Sequence, residues 1–172
     1  MNRARALGIA FLLIGSGLLA GCGLQPLYSG GESGAVATSL SSIRVGPIPE
    51  RAGWLMRGAL VDRLGGESAN PVYRLDVELD DDLTSFGIRG DSGATRERRT
   101  LRARYRLVDI ATGAVVLDAT AGSDAGIDVV SSQYATIAAE QSALERLSTV
   151  VADQMVARLA LFASRRSRAP GQ

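Results

Sequence analysis

From residue 73 onward apolar and charged residues alternate, with Tyr73, Leu75, Val77 and Leu79 interleaved by Arg74, Asp76, Glu78 and Asp80. A period of two puts the apolar set on one face of an extended chain and the charged set on the other, as in a strand that is half buried and half wet. The pattern returns over residues 95 to 108, where Leu101, Ala103, Tyr105 and Leu107 alternate with Arg102, Arg104 and Arg106. It returns again at Val115, Leu117, Ala119 and Ala121, the last part so thin in side chains that an edge position or close packing is expected. Turn residues separate the three: Gly90-Asp91-Ser92-Gly93 before the second strand, and Asp109 to Gly113 before the third. Antiparallel pairing sets the three arginines opposite or diagonal to Asp76, Glu78 and Asp80, each complementary pair contributing about 0.2–1 kcal/mol. Asp81-Asp82 is expected to break the first of these strands, with residues 83 to 88 resuming after an irregularity or forming a separate piece.

Helical spacing appears in two places. Ile137, Gln141, Leu144, Leu147, Val151, Met155, Leu159 and Phe162 advance in steps of three and four, the mark of one long amphipathic helix over residues 133 to 162. Residues 50 to 64 carry a second stripe that includes Trp54, Met56, Leu60 and Leu64, with Trp54 expected in the core and Gly65-Gly66 ending the helix. Residues 40 to 45 read as a short first strand. The order β-α-β-β-β-α makes an α+β two-layer sandwich, a four-stranded mixed sheet covered on one face by two helices. The domain spans 40–162; the arginine-rich end, 163–172, is expected to be a disordered tail.

The first 21 residues change the picture. Arg3 and Arg5 precede an apolar run that ends in Leu19-Ala20-Gly21-Cys22, a signal peptide with small residues before its cleavage point. The sequence Leu-Ala-Gly-Cys resembles the bacterial lipobox, which implies cleavage between Gly21 and Cys22 and acylation of Cys22. One acyl chain holds only marginally, so a stable anchor needs more than one. Residues 22–39 then form a flexible glycine- and serine-rich tether, interrupted by the apolar group Leu24, Pro26, Leu27 and Tyr28. That group is expected to dock against the domain, the membrane or a partner.

Composition narrows the chemistry. Cys22 is the only cysteine, so no disulfide forms within the chain. All 19 basic residues are arginines, and histidine is absent. Imidazole-based triads and metal sites are therefore excluded, and no cofactor or metal is expected. Loss of Arg3 and Arg5 leaves 17 arginines against 18 acids, a balance that gives no reason to expect nucleic acid as a partner. An envelope hydrolase built on Asp80, Asp81, Asp82 or Asp91 lacks a nucleophile to go with it, and the chain is read as a non-enzyme. Arg96, Arg98, Arg99 and Arg102 form a cluster suited either to solvent or to a phosphate-bearing glycolipid, since guanidinium pairs bidentately with phosphate.

Leu-Ala-Gly-Cys-Gly-Leu-Gln-Pro-Leu-Tyr at 19 to 28, Arg104-Tyr105-Arg106-Leu107-Val108-Asp109 with Thr112-Gly113, and Ser132-Gln133-Tyr134-Ala135 before the last helix together resemble the alphaproteobacterial form of the LPS-assembly lipoprotein family LptE. The resemblance implies a non-enzymatic subunit of the outer-membrane lipopolysaccharide translocon. Such a subunit plugs and helps assemble an LptD-like β-barrel, assists delivery of lipopolysaccharide to the outer leaflet, and is held to membrane lipid through acylated Cys22. Gly23 after the cysteine resembles an outer-membrane address. The arginines at 96, 98, 99 and 102 become candidate lipopolysaccharide contacts by region and charge, and Leu24, Pro26, Leu27 and Tyr28 candidate partner contacts. The alternative is a lipoprotein binding module of the same fold that carries a lipid or cell-wall ligand without a barrel, for which a large apolar pocket between sheet and helices is the distinguishing feature.

Overall fold

Strand β2 (Tyr73–Ile88) and strand β3 (Ala94–Asp109) form the spine of the molecule, 16 residues each and paired antiparallel along nearly their whole length. The computed structural model describes residues 34–88 and 94–168. At about 3.3 Å per residue the β2–β3 hairpin extends for about 50 Å. Strand β4 (Val115–Asp128) lies antiparallel on the other side of β3, and the three-residue β1 (Ile43–Val45) runs parallel to the start of β2. The sheet order is β1-β2-β3-β4, mixed as the sequence pattern predicts. Helix α1 (Ala35–Ser41) precedes β1, α2 (Glu50–Leu64) connects β1 to β2, and α3 (Gln133–Arg168) closes the chain.

The alternation sorts the two faces of the sheet as expected. Leu75, Leu101, Ala103 and Leu107 are fully buried under the helices, with Met56 and Leu60 from α2 and Val151 and Met155 from α3 against them. Tyr105 lies in the same layer, where burial raises its hydroxyl above the ordinary pKa while Arg158 pulls the other way. Helix α2 ends where Gly65 takes up a left-handed conformation, its φ being 93°, so the glycine pair terminates the helix as its sequence predicts. The β3–β4 turn is held by Asp109, whose Oδ1 accepts from the amides of Ala111 and Thr112, and by Gly113 at φ 73°.

Several boundaries differ from the sequence reading. Residues 35–41 are helical with Leu40 buried, so the end of the expected tether and the start of the expected strand belong to α1. Asp81 and Asp82 do not interrupt β2, because β3 continues to pair with it on the far side of both. The turn at residues 90–93 lies outside the described residues. Helix α3 runs on to Arg168 in place of the expected tail from 163, with Ala163 and Ser164 buried. Trp54 is 75% exposed and does not join the core. The buried face of α2 is instead Ala52, Gly53, Met56, Leu60 and Leu64, and Gly53 lets the backbone come close to Ile48.

The buried positions of α3 recur in pairs every four residues, from Ala143 and Leu144 to Ala163 and Ser164. With 3.6 residues per turn such a stripe drifts about 40° around the axis at each repeat. It therefore winds round the helix, and α3 touches β3 and β4, α2 and α1 along its length. Ser132 begins it, its Oγ accepting from the Ala135 amide. Although α3 is long and apolar enough to cross a membrane, over half of its most apolar stretch is buried against the rest of the fold, as a core helix would be.

Candidate functional site

The uncovered face of the sheet carries three of the four candidate arginines, Arg96, Arg98 and Arg102, and its charges fall in columns. β2 presents Asp76, Glu78, Asp80 and Asp82; β3 presents Arg96, Arg98, Arg102, Arg104 and Arg106; β4 presents Asp118, Asp124 and Asp128. The predicted juxtaposition holds in register, with Asp76 opposite Arg106, Glu78 opposite Arg104 and Asp80 opposite Arg102. A basic column thus runs between two acidic ones. Arg104 Nη2 donates to Asp118 Oδ2 at 3.1 Å, and Arg106 Nη2 reaches diagonally to Glu78 Oε1 at 3.0 Å. The hydrogen bond from Arg104 lowers the Asp118 pKa below the ordinary carboxylate range and raises that of Arg104.

The four candidate contact arginines separate into different environments. Arg96 lies 3.3 Å from Asp128 and Arg98 3.8 Å from Asp124, all four side chains well exposed. The Arg98 guanidinium also sits 5.6 Å from the centroid of the Phe86 ring, a cation–π arrangement on the open face. Among the described residues Arg102 makes no ion pair, and it borders an open groove of about 710 Å³ lined also by Asp80, Thr120, Gly122 and Asp124.

Arg99 differs from the other three. It shares parity with Leu101 and so points to the helix-covered face. There its Nε and Nη2 donate to Asp81 Oδ1 and Oδ2 at 2.8 and 2.6 Å, and its Nη1 donates to the Glu140 carbonyl on α3 at 3.1 Å. The Asp81 hydrogen bonds raise the Arg99 pKa. This pair fixes hairpin to helix, and Arg99 is not open to a ligand in the way Arg96, Arg98 and Arg102 are. Position parity, legible in the sequence, is the signal that separates it. The same parity splits the acidic run, since Asp80 and Asp82 face solvent and Asp81 faces α3. Asp91 and the candidate residues Gly21, Cys22, Leu24, Pro26, Leu27 and Tyr28 lie outside the described residues. Among the described residues no group of three or more carboxylates or other ligating side chains converges as a metal site would require.

Residues exposed at the hairpin end add an apolar component: Leu83 and Phe86 on β2, Val130 before α3, and Tyr134 and Ile137 in its first turns. At the opposite end lies a second cavity, an apolar groove of about 380 Å³ bounded by Ile43, Val72, Tyr73, Leu159, Phe162 and Arg166. Between these ends Leu75, Leu101, Ala103 and Leu107 of the sheet pack with Met56 and Leu60 of α2 and Val151 and Met155 of α3.

Residues 40–159 match the family model LptE, described as lipopolysaccharide-assembly. The chain belongs to the LptE family. The LptE assignment covers the whole sheet, α2 and most of α3. A lipoprotein-class crystal structure from Caulobacter crescentus CB15 is similar, with 28% identity and a TM-score of 0.65 over 76% of this chain and 98% of that one. The minor lipoprotein of Acinetobacter baumannii shares the fold at 12% identity and a TM-score of 0.57, covering 70% of this chain and 92% of its own. So does rare lipoprotein B of Shewanella oneidensis, at 8% identity and a TM-score of 0.57, covering 73% and 96%. No curated protein sequence matches the chain.

Proposed function

We propose that this LptE-family chain is the lipoprotein subunit of an outer-membrane lipopolysaccharide translocon, anchored through acylated Cys22. In this reading it supports assembly of an LptD-type barrel, occupies its lumen and assists delivery of lipopolysaccharide to the outer leaflet. The observation that carries the reading is the uncovered sheet face, about 50 Å long, polar throughout its central part and charge-matched within itself. Such a face suits a polar wall, and the interior of an outer-membrane barrel is polar. A lipid-facing or core-forming role would require the charged columns to lose their water, at several kcal/mol per ion.

Arg96, Arg98 and Arg102 offer guanidinium groups to the phosphates of lipopolysaccharide, with Phe86 beside Arg98 for the apolar part of the molecule. Arg99 is left out of this set because it is already engaged. The decisive experiment is a pull-down of the intact protein from detergent-solubilised outer membrane, followed by mass spectrometry. Recovery of a large barrel protein is expected, whereas a stable monomer with no barrel partner would sink the proposal. Intact mass of the mature protein tests acylation at Cys22, and an unmodified N-terminus ends that part. For the ligand, Arg98→Glu with Arg102→Glu is expected to weaken lipopolysaccharide binding while the melting temperature changes little. Unchanged binding would return these arginines to ordinary surface charge.

The apolar groove beside Tyr73 favours the second reading, a binding module for a lipid or cell-wall ligand without a barrel. A defined ligand retained by the purified protein in that groove would support it.

A further inference from the structure

We infer that the apolar groove between α1, the start of β2 and the end of α3 is the docking site of this chain's own segment Leu24–Tyr28. The groove is a built feature. Tyr73 and Phe162 meet edge to face with ring centroids 6.2 Å apart, and the Arg166 guanidinium stands 5.8 Å from the Tyr73 centroid. Ile43 and Leu159 form part of its apolar lining, and Val72 remains half exposed at its border. Thr38 and Ser39 of α1 form its rim. The described chain therefore begins beside the opening, since α1 starts one residue after Gly34.

Chain length permits the return. Tyr28 precedes Gly34 by six residues and Leu24 by ten, which at about 3.3–3.6 Å per residue span about 20 and 35 Å. Between Cys22 and Gly34 the large apolar side chains are Leu24, Leu27 and Tyr28, with Pro26 among them, and the rest of the stretch is glycine, serine, glutamine and glutamate. Burying an apolar side chain of this size contributes about 1.5–3 kcal/mol. An exposed apolar groove and an apolar segment covalently held within reach of it complement each other. The rim favours a peptide over an acyl chain. Ser39, Ser42 and Ser167 use their hydroxyl protons on backbone carbonyls, and their oxygens keep acceptor capacity that peptide amides can use and a hydrocarbon cannot. Docking here also brings the anchored end of the chain to the end of the sheet farthest from the β2–β3 tip.

The test uses the full mature protein in detergent micelles and does not depend on a barrel partner. Hydrogen exchange is compared between the natural chain and Leu27→Asp/Tyr28→Asp, substitutions that leave every residue from 34 to 168 unchanged. Docking predicts at least tenfold faster exchange in the variant at the amides of Val72, Tyr73 and residues 162 to 167, with little change at Tyr105. Unchanged exchange at those amides overturns the inference, as it would if an acyl chain filled the groove. Paired cysteines give a second reading: Tyr28→Cys with Val72→Cys is expected to form an intramolecular disulfide on mild oxidation, and Tyr28→Cys with Trp54→Cys is not. Equal cross-linking in both pairs overturns the assignment.

Discussion

Arg99 and Asp81 form a bidentate ion pair on the helix-covered side of the sheet, with side chains only 17% and 18% exposed. Removing one partner from such a pair leaves a poorly hydrated charge behind. The energetic effect approaches the 3–5 kcal/mol typical of broken buried pairs, and here about 2–4 kcal/mol is expected because some solvent remains. Arg99→Ala should lower unfolding free energy by that amount in urea denaturation, and adding Asp81→Ala should restore about 0.5–3 kcal/mol as coupling. Arg96→Ala and Arg98→Ala, on the open face, should stay within about 0.5 kcal/mol of the natural chain. Equal effects at positions 96 and 99 would contradict the distinction.

Two glycines of α2 should respond to alanine with opposite signs. A Cβ at Gly53 would lie 2.5 Å from the Ile48 carbonyl oxygen, which belongs to the backbone and cannot swing aside. Gly53→Ala is therefore expected to cost about 1–3 kcal/mol by overpacking. At Gly58 nothing lies within 4 Å, and Gly58→Ala should gain about 0.5–1 kcal/mol from helix propensity. Thermal unfolding of the two variants side by side checks both signs.

Trp54 and Met56 reverse the usual ranking of aromatic and aliphatic truncation. Met56 is fully buried, and Met56→Ala should destabilise by about 2–5 kcal/mol. Trp54→Ala should change stability by less than about 0.5 kcal/mol in the isolated protein. A large loss of stability in the Trp54 variant would mean that its ring packs against the fold after all.

Acid should weaken the Arg104–Asp118 pair on the open face. Arg104 holds the Asp118 carboxyl below the ordinary range, chiefly through its hydrogen bond. A lowered folded pKa means that the contribution is complete above the ordinary carboxylate value and is lost as pH falls through the lowered one. Melting temperature is expected to decline below about pH 4, with Arg104→Gln removing part of that slope. With no histidine in the chain, a plateau between about pH 6 and 8 is expected. A step inside that interval would contradict it.

The sheet was legible because one of its faces is wet. Charged residues at every second position of β2 and β3 announced both the strands and their register, and Asp76, Glu78 and Asp80 do stand opposite Arg106, Arg104 and Arg102. Arg99 misled only when grouped by charge; its odd position placed it with Leu101 on the covered side. The helices were harder to read where small residues do the packing. Gly53 and Ala52 bury α2 through close approach, so a reading guided by side-chain size preferred Trp54. Ala163 and Ser164 likewise conceal the last buried turn of α3. The apolar groove had no sequence signal of its own, because it is assembled from α1, β1, β2, β3 and α3 together.

The parallel pairing of β1 has a consequence for the order of assembly. Its three residues find Tyr73, Arg74 and Leu75 only after the intervening α2 segment has looped back, whereas β2, β3 and β4 join sequence neighbours. Loop-closure entropy delays the distant pairing. The meander is expected to form as the nucleus, and the α1–β1–α2 segment to close last and open first. Native-state exchange should accordingly find a lower opening free energy at Val45 than at Tyr105; the reverse order would place the nucleus at the other end of the chain.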